Sequence, residues 1–228
     1  MIGDDRFARS AALLGEAAMA RLSSARVLVV GVGGVGGWCA EALARTGVGN
    51  LTLIDDDAIC ESNLNRQCPA TVETLGRSKV EAMAERLRSV NPDCRLIARC
   101  ERFVRWEGAA AFDVVVDAID SVDCKAELIL GATAEGIPIV SSMGAALRTD
   151  PTAVRVTRFE KVTGDGLARA LRGRFKRLGR FPATKFTCVW SSERALDIDE
   201  RGSLMQVTAT FGMCLASEAT RIITQAER

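Results

Sequence analysis

The chain has 228 residues, enough for one large α/β domain or two small ones. Thirty Lys and Arg face 29 Asp and Glu, and the resulting net charge of +1 excludes a global field for nucleic acid or membrane. There is no histidine, which excludes Ser–His–Asp and Cys–His catalysis, histidine-ligated zinc and imidazole acid–base chemistry. Any reaction must run on carboxylates, Lys, Arg, Cys, hydroxyls or backbone amides. The eight cysteines contain no C-x-x-C pair, so a structural zinc site has no support and buried, reduced thiols are expected. Met1 to Ala25 carries Asp4, Asp5 and Glu16 without an unbroken apolar core, and no stretch is long enough to cross a bilayer. A cytoplasmic location is expected.

In chain order, Leu13 to Leu22 is rich in Ala and Leu and predicts a leading helix. Arg26 to Val30 (RVLVV) predicts a buried strand, followed by a glycine cluster and a helix over Trp38 to Thr46. Leu51 to Ile54 is a second strand that ends in three aspartates. Ser78 to Val90 places Val80, Met83, Ala84 and Leu87 at helical spacing, and Pro92 stops it. Arg95 to Ala98 and Asp113 to Val116 read as strands, Lys125 to Ala134 as a helix and Ile137 to Ser141 as a fifth strand. Strands separated by helix-length stretches imply a mainly parallel, Rossmann-like α/β sheet with helices on both faces. Beyond Pro151, Val154 to Thr157 and Phe186 to Trp190 alternate like half-exposed strands, which predicts an antiparallel extension. Val207 to Ile223 is apolar enough for a closing strand end and helix. The expectation is one domain over residues 1–228, with a nucleotide half (1–150) and a substrate half (151–228).

Gly31, Gly33, Gly34 and Gly36 form G-x-G-G-x-G between a strand and a helix. Glycine admits a tight turn and close approach to phosphate, and the helix N-terminus offers free N–H groups to an anion. Asp55 ends the next strand, where a carboxylate can accept ribose hydroxyls. This motif alone does not separate a dinucleotide from ATP. The next segment, IDDDAICESNLNRQ, holds Asp55, Asp57, Asn63, Asn65, Arg66 and Gln67, and Lys79 opens the following helix. Arg66 and Lys79 are cations suited to a triphosphate under attack, and a hydride-transfer site gains little from them. Asp120, beyond DVVVDAID, falls at the carboxyl edge of the sheet and can hold Mg²⁺.

RVLVVGVGGVGGWCAEALARTGVGNLTLIDDDAICESNLNRQ resembles the adenylating core of ubiquitin-activating-type enzymes and their bacterial sulfur-carrier relatives. EALARTGVGNLTLID, NLNRQ, GRSKVEAMAERLRSVNP, VDAIDSVDCKAELI, the DPT after a Gly-Ala segment, and VTATFG are similar to the tRNA threonylcarbamoyladenosine dehydratases within that superfamily. The resemblance runs from about Arg6 to Ile223. It implies that the four motif glycines form a phosphate loop, with Asp55 and Asp57 on the nucleotide. It further implies that Asn63, Arg66 and Lys79 contact phosphates, that Asp120 is the metal-linked acid, and that ATP and Mg²⁺ are the cofactors. Arg9, in DRFAR, matches an arginine that reaches the other subunit's ATP site in a homodimer, a role implied by the resemblance alone. Two departures stand out. The paired C-x-x-C zinc ligands common in sulfur-carrier relatives are missing, which favours the dehydratases, and Ser191 to Gln206 is shorter than in many of them.

Gly166 to Ser192 carries seven cations and no acid, a local asymmetry in a nearly neutral chain. Arg172, Arg174, Lys176 and Arg177, with Phe175 and Phe181 interleaved, are the expected tRNA contacts; a solvated helix face or an acidic carrier protein would also fit. Cys188 could form a thioester, although no histidine lowers its pKa and a packed strand thiol fits better. The expected reaction is ATP-dependent dehydration of N6-threonylcarbamoyladenosine in tRNA through an acyl-adenylate of its threonine carboxylate. The alternative is adenylation of the C-terminal glycine of a ubiquitin-like sulfur carrier, with a sulfur-transfer protein as partner.

Overall fold

The structure, a computed structural model, describes residues 4–108, 112–200 and 202–225. Seven strands, β1 (Arg26–Val30), β2 (Asn50–Ile54), β3 (Arg95–Arg99), β4 (Val114–Asp117), β5 (Ile139–Ser142), β6 (Val154–Arg158) and β7 (Thr187–Ser191), form one sheet. Its order is β3-β2-β1-β4-β5-β7-β6, parallel throughout except for the β6–β7 pair. The helices are α1 (Ala8–Leu14), α2 (Glu16–Ser24), α3 (Gly36–Thr46), α4 (Lys79–Val90), α5 (Val122–Ala134), α6 (Gly166–Leu178) and α7 (Met205–Thr224).

The two-residue period of β1 sorts its side chains between two cores. Val27 and Val29 join Leu22, Leu43, Met83, Phe211 and Leu215 on the face covered by α2, α3, α4 and α7. Leu28 and Val30 join Ala126, Leu128, Ile129, Leu171 and Phe175 on the face covered by α5 and α6. Covering both faces explains the unbroken apolar runs of the central strands. The strand order reverses between β1 and β4, and Val30 lies beside both Ile54 and Asp117. Three carboxyl ends therefore meet at the switch point where open α/β sheets bind ligands.

Several elements differ from the sequence expectation. The leading helix is two helices, broken at Gly15, whose φ of +83° suits glycine alone. The basic stretch contains α6, which Asp165 caps by accepting the Ala168 amide at 2.8 Å. β7 does not alternate in exposure: it runs between β5 and β6, and both of its faces are covered. β6 is the exposed edge and carries Arg155 and Arg158. Residues 205–224 are helical throughout, with no closing strand end. Among the described residues, no helix is long and apolar enough to cross a membrane.

Candidate active site

A cleft of about 630 Å³ opens at the carboxyl ends of β1, β2, β4 and β5. That volume is within the range of small-molecule sites. Of the expected residues, Gly31, Gly33, Gly34, Asp55, Asp57, Asn63, Arg66, Lys79 and Asp120 all line it.

Gly31 turns the chain out of β1 with φ +88°, and its amide donates to the Ile54 carbonyl at 2.8 Å. Gly36 does not line the cleft. It lies at the start of α3, where an added Cβ would sit 1.8 Å from the Gly31 carbonyl oxygen. The motif thus divides: Gly33 and Gly34 face the cleft, and Gly36 lets the helix approach the turn.

Asp55 is fixed by two backbone donors, the Val32 amide at 2.7 Å and the Asp57 amide at 2.9 Å. Burial pushes its carboxyl up from the ordinary aspartate value, against the opposing pull of Lys79. Lys79, at the first turn of α4, is buried. Its Nζ donates to Asp57 Oδ2 at 2.5 Å and lies 4.0 Å from Asp55 Oδ1. The lysine is therefore paired with two carboxylates at the cleft wall. Asn63 is buried, and its Oδ1 accepts the Cys60 amide at 3.2 Å. Arg66 Nη1 donates to the Ser62 carbonyl at 2.7 Å and to Asn65 Oδ1 at 2.9 Å. Its own carbonyl accepts from Trp38 Nε1 at 2.9 Å, which anchors the loop to α3. Asn65 in turn donates to the carbonyl of Ser203, another cleft residue, at 2.9 Å.

Asp120 is exposed in the cleft and has no ion-pair partner among the described residues. Asp55, Asp56 and Asp57 bring carboxylate oxygens within 4.8 Å of one another, a group to which Asp120 does not belong. Gln67, to which the motifs assign no role, is a buried cleft residue whose Oε1 has no hydrogen-bond partner among the described residues. Arg102, Phe103, Cys124 and the Met143–Ala146 segment, which the motifs also leave without a role, line the cleft as well. A Gly-Ala-Ala run directly after a parallel strand was the available signal for that segment.

The other expected residues lie away from the cleft. Arg9 is exposed on α1. Arg172 donates to the Phe159 carbonyl at 2.9 Å and the Val162 carbonyl at 2.7 Å, with its guanidinium 4.8 Å above the Phe159 ring. Arg174 pairs with Asp123 at 2.8 Å. Lys176 and Arg177 are exposed in the last turn of α6, Phe175 is buried, and Phe181 is exposed. Cys188 is buried inside β7, and desolvation pushes its thiol far up. A nucleophilic cysteine requires the opposite shift, so the site favours the packed thiol.

The ThiF family model matches residues 7–228. The tRNA threonylcarbamoyladenosine dehydratase of Escherichia coli (strain K12) is 41% identical over 217 residues, covering 90% of this chain and 80% of that protein. The crystal structure of the E. coli dehydratase in complex with ATP matches with a TM-score of 0.90 at 40% identity, covering 98% of this chain and 96% of that one. The molybdopterin-synthase adenylyltransferase of E. coli is 36% identical over 205 residues, covering 89% of this chain and 74% of that protein. The chain belongs to the ThiF family and, within it, to the tRNA threonylcarbamoyladenosine dehydratases.

Proposed function

We propose that the protein uses ATP to dehydrate N6-threonylcarbamoyladenosine in tRNA. The observation that carries this reading is the convergence of a glycine turn, an anchored Asp55, two cations (Arg66 and Lys79) and Asp120 on one cleft. A threonine carboxylate oxygen attacks the α-phosphorus of ATP, and the bond to pyrophosphate breaks. The carbamoyl group then attacks the acyl carbon, loses its proton and expels AMP. The carboxylate oxygen leaves on AMP, so the nucleoside is lighter by one water. Because the attacking group is tethered, effective molarity replaces an enzyme nucleophile, consistent with a chain that has no histidine and a buried Cys188.

Asp55 receives the ribose, and Gly33 and Gly34 admit the phosphates. Asn63, Arg66 and Lys79 neutralise charge that develops on them, with a triphosphate competing against Asp57 for the Lys79 ammonium. Asp120 fits Mg²⁺ best, because its carboxylate is exposed in the cleft while Asp55 and Asp57 are already engaged. The ion would supply charge neutralisation on the phosphates. Arg9, exposed and outside its own cleft, would complete the site of a partner in a homodimer. Lys176 and Arg177, which have no ion-pair partner among the described residues, would hold the tRNA backbone in the cytoplasm, with Arg172 and Arg174 supporting the helix beneath them.

The test is mass spectrometry of nucleosides from modified tRNA incubated with the protein, ATP and Mg²⁺. Loss of one water from threonylcarbamoyladenosine, with one AMP and one pyrophosphate released, is expected. An unchanged nucleoside, with pyrophosphate released only on addition of a ubiquitin-like carrier protein, would overturn the reading.

A further inference from the structure

Asp117 and Lys125 are both completely buried and neither lines the cleft, yet they form an ion pair at its base. Lys125 Nζ lies 2.7 Å from Asp117 Oδ2 and donates to the Ser142 carbonyl at 3.0 Å and to Ser141 Oγ at 3.3 Å. Ser141 Oγ donates to Asp117 Oδ2 at 2.6 Å, and Asp117 Oδ1 accepts the Ile119 amide at 3.1 Å. Removing two charges from water is costly, and an apolar pair of similar volume often serves stability equally well. The pair does something an apolar pair would not. It joins the carboxyl ends of β4 and β5 just where each strand releases a segment into the cleft. The Ile119 amide is one residue before Asp120, and the Ser142 carbonyl opens the Met143–Ala146 segment.

We propose that Asp117 and Lys125 are positioning residues, which hold the Asp120 segment in register with the Met143–Ala146 segment so that nucleotide and acyl substrate meet in line. The proposal rests on the reading of Asp120 as part of the phosphoryl-transfer centre. The other ties of the two segments run to different partners: the Ala118 amide donates to the Val30 carbonyl at 2.8 Å, the Met143 amide to the Val189 carbonyl at 2.8 Å and the Gly144 amide to Asp165 Oδ2 at 3.1 Å. A fully satisfied buried network sets a unique geometry because any displacement strands a charge.

The test is Asp117→Asn combined with Lys125→Met, which removes both charges at nearly constant volume. The amides of Ala118, Ile119, Met143 and Gly144 are expected to exchange hydrogen about tenfold faster, with the central strands unchanged. With tRNA and ATP, kcat for pyrophosphate release is expected to fall about tenfold or more, while KM for ATP stays within about twofold. Unchanged exchange at these four amides overturns the proposal, as does a wild-type kcat or a uniform rise in exchange across the whole sheet. Should the double variant not fold, Ser141→Ala removes one hydroxyl and no charge from the same network. It is expected to lower kcat about threefold at constant KM, and full kcat would overturn the proposal. If the wild-type chain releases no pyrophosphate with tRNA, the reading of function has failed, and the exchange comparison still decides whether the pair positions the two segments.

Discussion

Replacing Gly36 by alanine puts a methyl carbon 1.8 Å from the Gly31 carbonyl oxygen, 2.9 Å from its carbonyl carbon and 3.1 Å from Ala118 Cβ. A carbon–oxygen contact settles at about 3.3 Å, so the turn and the helix must part by about 1.5 Å. Neither side yields easily, because the first obstacle is backbone and the Gly31 amide is bonded to Ile54 at 2.8 Å. Overpacking of this kind costs about 3 kcal/mol, the upper end of its ordinary range. For a chain of this size that is a fall of about 6–12 °C in Tm. Gly33→Ala is the control within the same motif. Its methyl group would meet nothing closer than Gln67 Nε2 at 3.9 Å, so the fold accepts it, yet it projects into the phosphate side of the cleft. Calorimetry should show Tm within about 2 °C of wild type for Gly33→Ala. Titration with ATP should show affinity about tenfold weaker, equivalent to about 1.4 kcal/mol. A Gly36→Ala chain that melts with the wild type would refute the packing role, and undiminished ATP binding by Gly33→Ala would refute the cradle.

Arg9→Ala and Asp120→Ala should each lose about a hundredfold in rate, and mixing the two inactive chains should restore activity, since one site of a mixed dimer keeps both groups. A dead mixture with confirmed subunit exchange places Arg9 outside the partner's site. Asp55 has its pKa raised by burial, so it favours folding below its unfolded pKa and costs stability once pH passes its folded pKa. Asp55→Asn should remove this pH dependence and weaken ATP binding, yet lower Tm at neutral pH, because an amide nitrogen replaces one of the two oxygens that accept the Val32 and Asp57 amides; a raised Tm counts against this. Reversing Lys176 and Arg177 to Glu should weaken tRNA binding and flatten its salt dependence, measured by filter binding over a salt series. Arg172→Ala should act on Tm, because it removes the guanidinium donor from the Val162 carbonyl and leaves the Phe159 carbonyl with the Val162 amide, at a cost of about 2 kcal/mol. Cys188→Ala should keep kcat, and iodoacetamide should leave this thiol unmodified in the native chain; rapid alkylation or lost turnover would revive the thioester route.

Local patterns determined much of this protein. The apolar runs at 26–30, 51–54 and 113–116 form the central strands because each is short, β-branched and flanked by turn or helix residues. Gly31 to Gly36 and Asp55 were legible for the same reason: strand, turn and helix follow one another within a few residues, and the switch point then brings their ends together. What only the tertiary structure decided depends on distant partners. Sequence spacing could not show that β7 is flanked on both sides and thus fully covered, since β5 and β6 lie far from it along the chain. The same holds for Arg172 and Lys176, which stand four positions apart on one helix. One is spent on carbonyls of residues 159 and 162, while the other is left in solvent. Asp117 and Lys125 left a faint trace, an acid ending an apolar strand and a lysine within an apolar helix. Their pairing, and the burial that gives it consequence, exists only once β4, α5 and β5 are packed, because the energy of a charge is set by what surrounds it and not by its neighbours in sequence.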